Sequence, residues 1–203
     1  MYSVHAMNAD DDMEITLPIL QTIEQHSNIT QRGLSKRLGL ALGLTNAYVK
    51  HCVNKGLVKI EQIPANRYLY YLTPQGLAEK GRLTAQYLSD SFKFYRKASD
   101  SCLQVFTNCH AQGWQDVVLC GVSDLAEIAV LQAARAGIHI IGVYDPRSQL
   151  KHFLQYVIWR DVTEIPPQAV CVITSLGAPY RTKQSLMLVM PNERILVPDI
   201  LGL

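Results

Sequence analysis

The chain has 203 residues, 48% of them apolar and 18% charged, a balance that can fill a buried core and excludes a largely disordered polymer. Nineteen basic and seventeen acidic residues leave a formal net charge of +2, which excludes a uniformly basic nucleic-acid binder but leaves local charge open. The length allows one large domain or two small ones, and a change of hydrophobic period near Gly113-Trp114-Gln115 favours two.

Met1 to Asp12 lacks a basic region and a long apolar stretch and ends in Asp10-Asp11-Asp12. Residues 1–13 therefore read as a flexible acidic lead-in and not as a signal peptide. Apolar runs elsewhere are broken by charges well short of the roughly 20 residues a membrane helix needs, so no membrane partner is expected. Cys52, Cys102, Cys109, Cys120 and Cys171 form no CxxC pair and no Cys/His metal spacing. Such an odd, scattered set fits buried filler in a reducing cytoplasm, with no metal, and a redox-sensing thiol is the alternative.

Thr16 is placed to cap a first helix that carries Leu17-Pro18 in its opening turn. Thr30 caps a second helix, Gln31 to Leu38, and Gly39 stops it. After a turn at Leu40 to Gly43, a third helix is predicted from about Leu44 to Lys55, closing at Gly56. Thr45, Val49, Cys52 and Val53 fall on one face of it, and Gly43, Asn46, Ala47, Lys50, His51 and Asn54 fall on or near the other. A short helix, a glycine-bearing turn and a polar-faced second helix make a helix-turn-helix. Asn and Lys can bond base edges, and a small residue such as Ala47 permits close entry into a major groove. The polar face taken alone equally suits a solvated helix. Leu57 to Ile60 and Arg67 to Leu72 then read as a hairpin with its tip at Ile63-Pro64-Ala65-Asn66. Helix-turn-helix plus hairpin is a winged helix, in which Arg67 can reach a minor groove or a phosphate. From Asn28 to Leu72, seven basic residues, including Lys36, stand against Glu61 alone, a net +6 that leaves −4 for the rest. A basic surface confined to the reader is the footprint expected of DNA binding.

Asn28-Ile-Thr-Gln-Arg-Gly-Leu-Ser-Lys-Arg-Leu-Gly39, Asn54-Lys-Gly-Leu-Val-Lys59 and Tyr71-Leu-Thr-Pro-Gln-Gly-Leu-Ala-Glu-Lys80 resemble MarR-type regulators. The Leu-Thr-Pro-x-Gly element and Arg82-Leu-Thr-Ala85 are most similar to the branch associated with exopolysaccharide gene clusters. The resemblance covers about residues 15–97 and implies a dimeric DNA-binding transcriptional regulator. Leu44-Thr45 departs from the pattern at the start of the recognition helix.

Thr73 can cap, and Pro74 can start, a helix reaching about Gln112. Gly81, Ala85, Leu88, Phe92, Tyr95, Ser99, Cys102, Phe106 and Cys109 advance by alternating fours and threes, the spacing of a coiled-coil seam. Two readings follow: pairing with a second subunit, or packing on the chain's own domains. Pairing predicts a homodimer through a helix of about 57 Å, bound to a pseudo-palindromic double-stranded operator.

Val117 to Cys120 reads as a buried strand, followed by Gly121-Val-Ser-Asp-Leu-Ala126, a helix to about Ala136, and a second strand, Ile138 to Val143. Asp145 comes 24 positions after Gly121. Further strands are predicted at Tyr156–Trp159, Ala169–Thr174 and Arg194–Val197, with a helix over Tyr180–Val189. The order looks like a Rossmann dinucleotide fold. Its glycine motif is altered, however: Ser123 stands where a glycine lets pyrophosphate approach, and its hydroxyl could donate to a phosphate. Asp124 reads as a helix cap, because its charge would repel a phosphate there. The segment over about 115–201 is also similar to nucleotide-binding domains fused to sugar-modifying enzymes, notably in Gly142-Val-Tyr-Asp145 and Leu154-Gln-Tyr-Val157.

A ligand crevice is expected at the strand C-termini, from Gly121, Ser123, Asp124, Asp145, Arg147, Thr174 and Ser175. Asp145 can bind a ribose diol or cap the turn before Pro146, and Arg147 can pair with phosphate or lie solvated. Candidate ligands are NAD(H) and a nucleotide-sugar. Tyr180-Arg-Thr-Lys183 is one residue short of a Tyr-x-x-x-Lys reductase pair, and His110, His139 and His152 form no acid–base or metal spacing. No catalytic residue is assigned, and turnover is not expected.

The expected fold class is an α+β winged helix over 14–76, a long connecting helix over 77–113, and an α/β Rossmann-like domain with a parallel sheet over 114–203. In outline this is similar to the Rex-type redox repressors, which join a winged helix to an NAD(H)-binding domain. The alternatives are a C-terminal domain serving as a ligand-free oligomerisation or interaction module and, more remotely, an NAD- or nucleotide-sugar-dependent enzyme.

Overall fold

The computed structural model describes residues 12–64 and 67–203. Most of the expected acidic lead-in and the wing-tip residues Ala65 and Asn66 lie outside them. The chain forms two compact units, residues 1–91 and 92–203.

In the first unit, a π-helical turn at Asp12–Thr16 runs into α1 (Leu17–Gln25). Met13 and Ile15 pack on the first unit's core. Thr16 does not cap α1: the chain is already helical there, at φ −66° and ψ −45°, and its side chain makes no capping bond. α2 (Gln31–Leu38) matches expectation, with the Thr30 hydroxyl accepting from Gly33 N at 3.0 Å and Gly39 turning left-handed at φ 65°. α3 spans Leu42–Asn54, two residues earlier at its start than the sequence suggested. Its N-cap Ala41 provides no side-chain acceptor, so polarity gave no marker for the boundary.

β1 (Val58–Ile63) and β2 (Arg67–Leu72) form the antiparallel wing, with Val58 opposite Leu72 and Ile63 opposite Arg67. The Tyr70 amide donates to Ser27 O at 2.8 Å and ties the wing to the α1–α2 loop. The core collects Ile19, Leu20, Ile23, Leu34, Val49, Cys52 and Leu83 around the helices and hairpin.

α4 runs Pro74–Ala111. Thr73 starts it: the hydroxyl accepts from Gly76 N at 2.9 Å and donates to Gly56 O at 2.6 Å. Gly76 lies so close to the Leu57 carbonyl that a Cβ would overlap it, which accounts for the glycine of the Leu-Thr-Pro-x-Gly element. The predicted seam divides. Gly81, Ala85, Leu88, Phe92 and Tyr95 are exposed, whereas Ser99, Cys102, Phe106 and Cys109 are buried. Cys102, Phe106 and Cys109 belong to the second unit's own core. Over that half, packing within the chain replaces the expected pairing between subunits.

The second unit holds a six-stranded sheet built from β3 (Asp116–Cys120), β4 (His139–Tyr144), β5 (His152–Phe153), β6 (Tyr156–Trp159), β7 (Val170–Ile173) and β8 (Ile195–Leu196). Their order is β5-β6-β4-β3-β7-β8, parallel except for β5 against β6. Without β5, the parallel strands run third-second-first-fourth-fifth in chain order, the Rossmann arrangement. Alternate residues of each strand feed two cores. Val117, Leu119, Val170 and Val172 face α5 (Asp124–Ala136) and the end of α4, while Val118, Cys120, Cys171 and Ile173 join Leu186 of α6 (Pro179–Met187). The short β5 replaces a helix in the β4–β6 crossover and was not legible as a strand in so few residues.

Candidate functional site

The reading surface is built on α3. Thr45, Tyr48, Val49 and Cys52 are buried and Val53 is half-buried, which anchors one side of the helix. Gly43, Ala47, Lys50 and Asn54, at spacings of four, three and four, are exposed along the other. Lys36 is exposed in the last turn of α2. Asn46 and His51 are half-buried at the flank of this face, and the Asn46 Oδ1 is buried without a hydrogen-bond partner. The structure thus brings Ala47, Lys50 and Asn54 together as one open face and sets Asn46 and His51 beside it. Leu42 and Leu44 are also exposed, at 39% and 42%, and extend that surface in a way polarity alone did not signal. Arg67 opens β2.

In the second unit the order of strands reverses between β3 and β7, where an open α/β sheet offers a crevice. Here that crevice is closed by the chain itself. Gly121, at φ 116°, lies against Ser175 so tightly that a Cβ would overlap the Ser175 backbone. The buried Thr174 hydroxyl donates to Gly121 O at 2.6 Å, and the Ser175 amide donates to Cys120 O at 2.9 Å. The Ser123 hydroxyl, expected as a phosphate donor, donates instead to Thr174 O at 2.6 Å and accepts from Ala126 N at 3.2 Å. Ser123 is therefore the cap of α5. Asp124, expected in that role, is the first residue of the helix and is exposed.

Asp145 closes the turn from the other side. Its Oδ2 accepts from Val122 N and its Oδ1 from Arg147 N, both at 2.9 Å. The second bond is the turn-capping role that the sequence left open beside ribose binding; the first was not anticipated. A dinucleotide in the Rossmann mode needs backbone amides and open space at this turn. One amide is already bonded and the space is filled by Ser175, so the residues present do not fit that group.

An adjacent cleft of about 170 Å³ remains open, walled by Asp145, Arg147, Ser175, Gly177, Arg181 and Thr182. Gly121 also reaches it, whereas Ser123, Asp124 and Thr174 do not line it. Arg181 and Thr182 come from α6 and were missed, because only the tertiary fold sets that helix beside the β4 turn. Among the described residues, no carboxylate pairs with the Arg147 or Arg181 guanidinium in an ion pair. Burial raises the Tyr144 hydroxyl above its ordinary value, chiefly by desolvation, so it lines the cleft as a neutral group. Tyr180 and Lys183 both lie on α6, Tyr180 exposed and Lys183 half-buried.

Among the described residues, no group of three or more His, Cys, Asp or Glu side chains is arranged to hold a metal. None of the described helices is long and apolar enough to cross a membrane.

Residues 14–59 match the winged helix-turn-helix DNA-binding family, which defines that segment of the first unit as a winged-helix DNA-binding domain. No curated protein sequence matches the chain significantly. Among solved structures, human N-acetylserotonin methyltransferase in complex with SAM is 13% identical, with 97% of this chain and 81% of that one covered, at a TM-score of 0.34. PigF with SAH is 15% identical over 93% and 56% of the two chains, at 0.26. Agreement that low carries no argument about either unit.

Proposed function

We propose that the protein is a dimeric transcriptional regulator that reads duplex DNA through α3 and the wing and senses a small ligand in its second unit. The observation that carries this reading is the open face of Ala47, Lys50 and Asn54 on a helix whose opposite side is anchored by Thr45, Tyr48, Val49 and Cys52. A +6 segment around that face supplies the phosphate-directed charge. The MarR-like motifs support a dimer on a pseudo-palindromic site, and their exopolysaccharide-associated character points to polysaccharide genes as targets.

The ligand reading rests on the 170 Å³ cleft with its two arginines. Pockets for drug-sized ligands run about 300–1,000 Å³, so the cleft suits the phosphorylated end of a nucleotide-type compound, not an enclosed dinucleotide. A ligand that favours one dimer geometry would shift DNA affinity by its difference in affinity for the two states. Binding, not turnover, is the role assigned to this unit.

Selection of binding sites from random duplex DNA with the full chain, followed by anisotropy titrations at several salt concentrations, tests the DNA reading. Enrichment of an inverted repeat is expected. No enrichment, together with affinity equal for all sequences, would overturn it.

A second reading is favoured by one feature. The helix-less crossover leaves an apolar groove of about 530 Å³ beside α5, lined by Leu131, Ala134, Ile138, Ile140 and Tyr156. Such a surface suits an interaction module. A thermal-shift panel of nucleotides, dinucleotides and nucleotide-sugars separates the two, since a ligand near 100 Kd adds about 2.7 kcal/mol; no shift with any of them favours the module.

A further inference from the structure

The first turn of α3 differs from the rest of its reading face. Leu42 and Leu44 are exposed there, and the buried side of the helix is formed by Thr45, Tyr48, Val49 and Cys52 without them. Successive helix residues turn by about 100°, so the two leucines stand on either side of Gly43. Nothing lies within 4 Å of the place a Gly43 side chain would take, and its backbone is ordinary helix. The fold therefore does not require glycine at this position. A residue without a side chain between two apolar ones is instead suited to close approach by another molecule.

The chemistry of that end is also one-sided. From Leu42 to Ala47 the exposed side chains are Leu42, Leu44 and Ala47, and the first turn holds no acidic residue. Thr45 is buried, and Asn46 is half-buried with its Oδ1 enclosed. Asparagine reads adenine by donating and accepting together, a mode that needs the enclosed oxygen. Lys50 and Asn54 open the polar part of the face further along the helix. Before the turn at residues 39–41, Lys36 and Arg37 are exposed in the last turn of α2 and supply phosphate-directed charge.

We infer that the first turn of α3 reads thymine in each half-site, with Leu42 and Leu44 packed on the C5 methyls of one or two neighbouring T·A pairs. The inference rests on the DNA reading proposed above and adds the base that this end selects. In a helix-turn-helix, the N-terminal residues of the reading helix meet base edges in the major groove. The base edges there carry hydrogen-bonding groups, and the thymine methyl is the one apolar group among them. Leucine against a G·C pair would strip water from O6, N7 and N4 and return no bond, which is unfavourable. Leucine against thymine covers a methyl instead. The rise from Leu42 to Ala47 is about 7.5 Å, enough for two base-pair steps of about 3.4 Å.

The test uses the full chain and the site recovered by the selection described above. Each thymine of a half-site is replaced singly by deoxyuridine, which removes the C5 methyl and keeps the base pair. One or two neighbouring positions should lose affinity by about fourfold each, the worth of one buried carbon. Leu42→Ala and Leu44→Ala should each erase that loss at one of those positions. Both side chains are exposed, so circular dichroism should show the helices unchanged. Repeating the selection with Leu44→Gln, which can donate and accept, should replace the thymine, and it gives an answer even where an alanine variant binds too weakly to titrate. Unchanged affinity for every deoxyuridine duplex overturns the inference while the DNA reading stands. A thymine preference that survives all three substitutions also overturns it, because the methyls are then read elsewhere. So does a change of oligomeric state by light scattering with base preference intact, which would assign the leucines to a protein contact. Failure of the wild-type chain to enrich any sequence removes the DNA reading itself.

Discussion

The Asp145 carboxylate accepts a hydrogen bond at 2.9 Å from the backbone amide of Val122, 23 positions earlier in the chain. The bond joins the ends of two adjacent parallel strands across the turn that precedes α5. Its partner oxygen holds Arg147 N, so one side chain fixes two loops at the rim of the cleft.

Asp145→Ala removes both acceptors and leaves two amides to find water. Each of the two lost bonds is worth about 1–2 kcal/mol once water replaces the acceptor, so a fall of about 2–4 kcal/mol in the stability of the second unit is expected. Urea unfolding followed by the fluorescence of Trp114 and Trp159, both in that unit, measures it. Unchanged stability would mean that the turn holds itself.

For DNA, Lys50→Ala removes an exposed cation from the centre of the open face. If it contacts a phosphate, binding weakens for all sequences and the slope of log affinity against log salt falls by about 1. Ala47→Glu places a carboxylate on the same face and should abolish binding without changing the fold. Anisotropy at three salt concentrations distinguishes both from a protein that binds elsewhere.

The thiols give a prediction in pH. Burial pushes Cys102 from the ordinary thiol value near 9 up to about 12, and Cys109 up to about 11. A raised acid pKa favours the neutral form in the folded state, so the stabilisation is complete below about pH 9 and is lost as pH rises toward 11–12. The second unit should therefore lose stability above pH 9 in steps that Cys102→Ala and Cys109→Ala reduce. The thiols should also resist maleimide at pH 7.5 until the protein is unfolded. Fast labelling of the native chain would contradict the buried placement.

Gly76→Ala addresses the start of α4. The added methyl would meet the Leu57 carbonyl, which is backbone and cannot swing aside. Overpacking of this kind costs about 1–3 kcal/mol, and the loss should appear in the first unit's melting while the second unit's is unchanged. Gly81→Ala, with open space around the position, should raise helix stability by about 1 kcal/mol.

Local patterns on a single stretch of chain were sufficient for much of this molecule. Thr30 and Gly39 bracket α2, Thr73-Pro74 start α4, and short continuous apolar runs mark β3 and β7, because caps, stops and apolar runs are set by neighbours within a few positions. The start of α3 failed as an expectation because Ala41 carries no capping group to read. Asp124 and Ser123 were exchanged as caps because both are good cap residues in adjacent positions; backbone angles at Ser123, φ −169° and ψ 171°, decided between them.

What the sequence by itself determined was the kind and order of most elements: a winged helix, a long helix, and a βαβ series. Tertiary structure alone decided the rest. The heptad seam of α4 looks uniform in sequence, since spacing records which residues share a face but not what covers it; strand and helix packing bury its second half and leave Gly81 to Tyr95 open. In the same way, Gly-x-Ser-x-x-Ala in sequence left the turn open to a phosphate. Ser175 and Asp145, which lie 54 and 24 positions beyond Gly121, close it and move the open cleft to Arg147 and Arg181. Contacts between residues so far apart in sequence are set by the folded sheet and leave no periodic signal in the chain.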